Sequence, residues 1–276
     1  MGRAKEIIVK VIPAKIANEF VKKHHYSGKV VINSILHFGC FLDDKLHGVM
    51  SYGPGINKHG NLKSLSGVGW NEIIELNRMA FDEYLPKYSE SRCISISIKL
   101  IKKNAPQIKA IISFSDGTQS GDGTIYRASG FFLTGITKNT SILELPNGEK
   151  INKQTFGQSG SFGGDGANAG LPKRRREMLN AGFIRVDEFL NNKYKGWKTL
   201  EGFQLRYIYL IDKTCKITVP ILPFSMIDEM GAGMYKGKKV SLQERKQNAA
   251  IAHLGERLAS SQEGAFDATM PLNSLI

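Results

Sequence analysis

The stretch SRCISISIKLIKKNAPQIKAIISFSDG, residues 91–117, decides the fold. Within it, residues 108–115 (IKAIISFS) form a near-continuous apolar run, the pattern of a strand buried on both faces, and the run ends at Asp116 in a Gly-rich turn. Residues 91–103 are ambiguous in period, because alternating Ser and Ile also suit a strand. Three features favour a helix: Ser89 or Ser91 can cap its start, Lys102 and Lys103 sit where the helix dipole is negative, and Pro106 stops it. Residues 72–81, just upstream, are strand-like. Strand, crossover helix and central strand make a parallel βαβ connection, so the predicted fold is mixed α/β (α+β), with a partly parallel central sheet flanked by helices.

Outward from this unit, residues 6–12 read as a short strand, and Pro13 opens the helix AKIANEFVKKHH with Ile16, Phe20 and Val21 on one face. Apolar runs at residues 34–42 and 46–52, separated by Asp43-Asp44-Lys45, predict a β-hairpin. Residues 54–69, rich in Gly and Pro, read as a loop. After Asp116 come a short helix at residues 123–129 and a strand at 131–137, then a hairpin at 142–155 around Asn147-Gly148. Residues 157–170 hold six glycines in 14 positions and read as a flexible loop. Strands at 204–211 and 216–222, a Gly-rich turn at 231–237, a helix at 241–258 and a loose tail from 264 complete the reading, with no internal repeat. The expected organisation is a core at residues 1–140, its continuation with the Gly-rich loop and a basic segment at 141–222, and a C-terminal helical extension at 223–276.

A chain of 276 residues with 41% apolar and 23% charged side chains is neither disordered nor fibrous. No apolar run approaches the roughly 20 residues needed to cross a bilayer, and the N-terminal residues lead into charge rather than a cleavage site, so neither a membrane nor a secreted protein is expected. Cys40, Cys93 and Cys215 are far apart in sequence and in no CxxC arrangement, which fits a reducing cytosol. A net charge of +13 points to a polyanionic partner. The charge is densest at Lys173, Arg174, Arg175 and Arg176. Phe183, Phe189, Tyr194 and Trp197 follow among further cations, the mixture of a nucleic-acid groove.

Candidate chemistry gathers near Asp116, whose place at the carboxyl end of a buried parallel strand is where open α/β sheets hold ligands; the plain alternative is a turn cap. Tyr126, ten residues on, is close enough to share its pocket or simply to anchor a hydroxyl. His25 and Tyr26 follow the first helix, where His25 is a candidate general base or a structural residue. Arg78 lies inside a strand between apolar neighbours, where a guanidinium is costly unless it faces a cleft or a carboxylate. There is no P-loop, GxGxxG, HExxH, GxSxG or DPPY-like tetrapeptide, and the six histidines form no metal-ligand spacing.

The segments HHYSG, LHFGCF, LHGVMSYG, ELNRMAF, LPKYSESRCIS and ISFSDGTQSGDGTIYRASGF, in this order, resemble the phage Mom family of DNA-modification proteins, which look like divergent members of the GNAT acyltransferase fold. The resemblance runs over residues 7–138 and more weakly to 211. It implies a GNAT-like core with a basic C-terminal extension. It also implies an enzyme of the host cytoplasm that converts adenine in the phage's own double-stranded DNA to the N6-carbamoylmethyl (acetamido) form, shielding it from restriction. The family's functional positions fall on His25, Tyr26, Arg78, Ser91, Asp116 and Tyr126. Asp116 would accept the N6 proton, Tyr126 would protonate a leaving group or steady an oxyanion, and Tyr26 or Trp70 would stack on an extruded base. The implied donor is an acyl or related group, with acetyl-CoA a candidate. The usual pyrophosphate loop of GNAT enzymes is replaced here by residues 86–91 (PKYSES), where Lys87, Ser89, Ser91 or Arg92 would hold an anion. Ferrous iron is linked with the family, and His25 is its candidate ligand. Competing readings are a non-catalytic DNA-binding protein and a generic acyltransferase for a protein or small-molecule amine.

Overall fold

The computed structural model describes residues 3–55, 57–157, 171–235, 237–244 and 247. In chain order the elements are β1 (Ile8–Val11), α1 (Ala14–His24), β2 (Leu36–Leu42), β3 (Lys45–Gly53), α2 (Lys58–Lys63), β4 (Leu65–Ser66), β5 (Ile73–Phe81), α3 (Ser89–Asn104), β6 (Ala110–Asp116), α4 (Thr124–Ala128) and β7 (Phe132–Lys138). They continue with β8 (Ile142–Glu144), β9 (Lys150–Asn152), α5 (Lys173–Asn180), α6 (Val186–Lys193), β10 (Lys198–Thr199), β11 (Phe203–Leu210), β12 (Lys216–Ile217), α7 (Met226–Glu229), β13 (Met234–Tyr235) and β14 (Lys238–Lys239). Nearly all of the helix expected at 241–258, the tail, and most of the Gly-rich loop lie outside the described residues.

Seven strands form the main sheet in the order β1-β2-β3-β5-β6-β11-β7. All neighbours are antiparallel except β5 and β6, which α3 connects in parallel, so the sheet is mixed and partly parallel as expected. The β2–β3 turn is tighter than expected: Asp43 and Asp44 both take left-handed conformations (φ 50° and 58°), and Lys45 already pairs with Leu42. Such a two-residue turn follows the twist of the strands, and Asp tolerates positive φ better than most residues.

The two faces of the sheet are covered differently. On the first face, α3 and α4 cover one continuous core that includes Phe38, Met50, Tyr52, Ile94, Ile111, Phe131 and Leu133. The second face carries two separate clusters. Helix α1 packs Ala17 and Val21 on Val49 and Ala80, while β4 and its neighbours pack Leu65 and Cys215 on Ala110, Ile112 and Ile208. Alternation along β6 sends Ile111 to the first face and Ala110 and Ile112 to the second.

Several expectations need correction. The loop at 54–69 contains α2, capped by the Asn57 side chain accepting from the Gly60 amide at 3.0 Å, and β4, which pairs with β12. Helix α3 is capped by neither serine: Tyr88, left-handed at φ 68°, takes the N-cap position, and the hydroxyls of Ser89 and Ser91 donate to the carbonyls of Pro86 and Tyr88. On α1 the inward stripe is Ala17 and Val21, and Ile16 is 44% exposed. The strand at 216–222 is only two residues long, its continuation limited by Pro220, which cannot donate to a ladder. The aromatic side chains of the basic segment do not line an open groove. Phe189 is buried with Leu143, Ile151, Phe156 and Met178, and Phe183, Tyr194 and Trp197 pack around them, because short helices α5 and α6 need a core of their own.

Candidate active site

The site begins where two strands part. The ladder between β5 and β6 has only four rungs, Ile73 to Leu76 against Ala110 to Ser113. Beyond it β5 runs on beside β3 and β6 runs on beside β11, leaving a wedge at their carboxyl ends. The Ser113 hydroxyl donates to the Leu76 carbonyl at 2.9 Å and pins the throat of this wedge. At the same place β5 bulges: Tyr52 pairs with Leu76 and Ser51 with Arg78, so Asn77 is the extra residue. A bulge re-aims the side chains around it. Arg78 is fixed by its Nε donating to the Lys29 carbonyl at 2.8 Å and by a second bond to the Asn77 carbonyl at 3.0 Å. Burial lowers its affinity for the proton, an effect opposed by Tyr26, Glu75 and Asp116.

The second face between the α1 and β4 clusters is polar. Here the end of α1 brings His25 and Tyr26 over the wedge, with their rings 4.2 Å apart. The Tyr26 hydroxyl donates to Asp116 Oδ2 at 3.3 Å, and burial, then the Asp116 charge, holds its phenol well above the ordinary range. Asp116 also accepts from the Thr118 amide (3.0 Å) and hydroxyl (2.6 Å), from Gln119 (3.3 Å) and from Gln204 (2.8 Å). Asp116 thus organises the turn and β11: Oδ1 accepts from Thr118 and Gln204, while Oδ2 accepts from Gln119 and Tyr26.

His25 differs from expectation. Its Nδ1 accepts from the Ser27 amide at 3.1 Å and lies 2.8 Å from the Ser27 hydroxyl. An amide can only donate, so the neutral ring carries its proton on Nε2. Burial, then the Arg78 charge, lowers its pKa to about 4. His25 is thus a neutral donor at pH 7 rather than a general base. The same tautomer disfavours ligation through Nε2, and no group of three His, Cys, Asp or Glu that could hold a metal is found among the described residues. The residues present do not fit the expected iron.

Tyr126 reaches the throat from the first face. It is buried against Phe131 and Tyr207, and desolvation raises its phenol while Ser113 partly offsets this. Its helix can start only because Gly123, at φ 81°, lacks a Cβ that would meet the Tyr207 ring at 2.4 Å. Sequence reasoning missed Glu75. This carboxyl, 8% exposed on the second face, lies beneath Gly55 and Asn61, and burial raises its pKa to about 7 against the pull of Arg78. Trp70 precedes β5, at the opposite end of that strand from Arg78, and packs with His59 and Lys58. It is not part of the cluster.

At the start of α3 the serine hydroxyls already donate to carbonyls, and the amides of Glu90 and Ser91 immediately precede the first helical bond, from Arg92 to Tyr88. Among the four cations of α5, Arg174 pairs with Glu149, and Arg175 Nε is buried without a partner. Lys173 and Arg176 face outward.

The sequence model of the Mom protein family matches residues 6–226. The Methylcarbamoylase mom of Escherichia phage Mu is 30% identical over 190 residues, which cover 69% of this chain and 78% of that protein. Solved structures with a similar arrangement include a Bacillus subtilis acetyltransferase in complex with CoA (10% identity, TM-score 0.39, 74% of this chain and 98% of that one). The ribosomal-protein-S18-alanine N-acetyltransferase from Escherichia coli is another (8% identity, TM-score 0.38, 75% and 94%).

Proposed function

The chain belongs to the Mom protein family, and from that premise we propose that it is a phage transferase converting adenine in double-stranded DNA to the N6-carbamoylmethyl form within the wedge between β5 and β6. The observation that carries this reading is the polar break in the second face, where Tyr26, Arg78 and Asp116 meet beside parted strands. The acceptor approaches from this face. A donor bearing an anionic group would lie on the α3 side, held by the amides of Glu90 and Ser91, with Lys87 and Arg92 nearby in the chain. It would supply the carbon that N6 joins.

Adenine N6 is a weak nucleophile because its lone pair is delocalised into the ring, so positioning and charge stabilisation matter most. Both contacts to Asp116 Oδ2 are long, so this oxygen can exchange one of them for an N6 hydrogen and accept the proton as the new bond forms. Arg78 and the Nε2–H of His25 supply positive potential and a donor for an oxygen that gains charge. Tyr126, poised at the throat, donates to the departing group. A plain acetyl transfer would leave an amide at N6, whereas the carbamoylmethyl product joins N6 to a methylene, so the donor is a two-carbon unit that already carries or later gains a nitrogen.

Such an enzyme would act in the host cytoplasm, where phage DNA is replicated, and the modified sites would resist restriction. DNA from cells producing the protein is expected to survive restriction enzymes whose sites contain adenine, and Asp116→Ala is expected to abolish that survival at similar protein level and melting temperature. DNA that stays fully cleavable in cells holding the folded wild-type protein would overturn the reading.

A further inference from the structure

Phe114 is 41% exposed and lies one residue past Ser113, the last rung of the β5–β6 ladder, so at this level β6 keeps only β11 beside it. The β4 cluster covers the second face only as far as Ile112 and Ile208, and Phe114, one step further along the same face, is left open. Two residues beyond it on that face, about 7 Å along the strand, stands Asp116. Directly opposite Phe114 across the ladder is Arg206, whose Nε and one NH2 donate to the Thr134 hydroxyl and carbonyl, each at 3.0 Å, which holds its guanidinium toward β7 and leaves the Phe114 ring open. Opposite Asp116 is Gln204, which commits its side-chain N–H to that carboxylate and so keeps its carbonyl oxygen as an acceptor.

We propose that Phe114 forms the platform on which the target nucleobase stacks, with Gln204 and Asp116 reading its amino edge. This rests on the DNA reading above and adds a base-binding subsite to it. An exposed ring with hydrogen-bonding groups one ring-length away on the same face suits a planar ligand that is aromatic on its faces and polar at its edge. A purine fits that description. An aliphatic chain would gain from the ring but would leave the Gln204 and Asp116 edge unanswered, and the net charge of +13 favours a ligand attached to phosphates.

The test uses full-length protein and a duplex in which 2-aminopurine replaces adenine, together with steady modification of ordinary duplex DNA. Phe114→Leu keeps the apolar bulk and removes the π face, whereas Phe114→Trp keeps and enlarges it. Because the side chain is partly exposed, both variants are expected to melt near wild type. Phe114→Leu should lower kcat/KM for modification about 10- to 100-fold, leave duplex affinity within about twofold, since phosphate contacts dominate it, and give brighter 2-aminopurine fluorescence in the complex than wild type. Phe114→Trp should restore modification and quenching. Equal modification and equal fluorescence in wild type and Phe114→Leu would overturn the platform while leaving the DNA reading intact. A wild-type protein that neither modifies DNA nor alters 2-aminopurine fluorescence would instead bring down the parent reading.

Discussion

The two faces of the central sheet show how the same strands serve different ends. The first face is one unbroken apolar layer under α3 and α4, and its polar members, such as Tyr52 bonded to Ser97 at 2.6 Å, are matched within the layer. On the second face the layer is split into two clusters, and the space between them holds Glu75, Arg78, Asp116 and Gln204 with the half-exposed rings of Tyr26 and Phe114. The first face gathers most of the apolar burial, which lets the second keep charged groups partly out of water, while Tyr126 is a member of the first-face core that reaches the throat between them.

The sharpest way to break this comparison is to delete bulk from the first face. Ile111→Ala, at a fully buried position, is expected to cost about 2–5 kcal/mol in denaturant unfolding, and a loss below about 1 kcal/mol would show that this layer does not carry the fold. Glu75 gives the opposite behaviour on the second face. Burial lifts its carboxyl from an ordinary 4.5 to about 7. The unfolded chain ionises this group above pH 4.5 while the folded chain resists until about 7, so its cost to stability grows over that window and stays constant above it. Glu75→Gln is therefore expected to raise stability at pH 8 by up to about 3 kcal/mol and to change nothing at pH 4. The same gain at both pH values would refute a titrating cost.

A smaller effect extends the contrast to α5, where exposed Lys173 and Arg176 flank the partly buried Arg174 and Arg175. If DNA is the partner, replacing Lys173 and Arg176 by Ala should reduce the slope of log affinity against log salt by about 2. Arg174→Ala should alter the slope less, because Glu149 already holds that guanidinium. Equal slopes for all of these variants would contradict the split.

How much of this was legible in the sequence follows from how local each signal is. The β5-α3-β6 unit was readable because an apolar run, a basic helix end and Pro106 sit within one stretch, and Asp116 could be placed because it terminates that run. Phe114 was hidden by the same run: inside IKAIISFS it reads as core, and only the end of the β4 cluster two residues earlier exposes it. Glu75 reads as an ordinary solvent-facing strand carboxylate, and its burial comes from Gly55 and Asn61, distant in sequence. Helix α2 (KHGNLK) has no apolar period and depends on the Asn57 cap. The basic and aromatic stretch misled because its rings were needed for a small local core, a requirement that composition does not reveal. The role of His25 could not be read from its type, since the Ser27 amide two residues later decides the tautomer.

The most direct test of the central claim is mass spectrometry of nucleosides from DNA of cells producing either wild-type protein or Asp116→Ala. The expected result is deoxyadenosine heavier by one carbamoylmethyl group in place of a hydrogen with wild type, and only the unmodified nucleoside with the variant. The same modified nucleoside at the same level from both would show that the chemistry does not take place in the break of the second face.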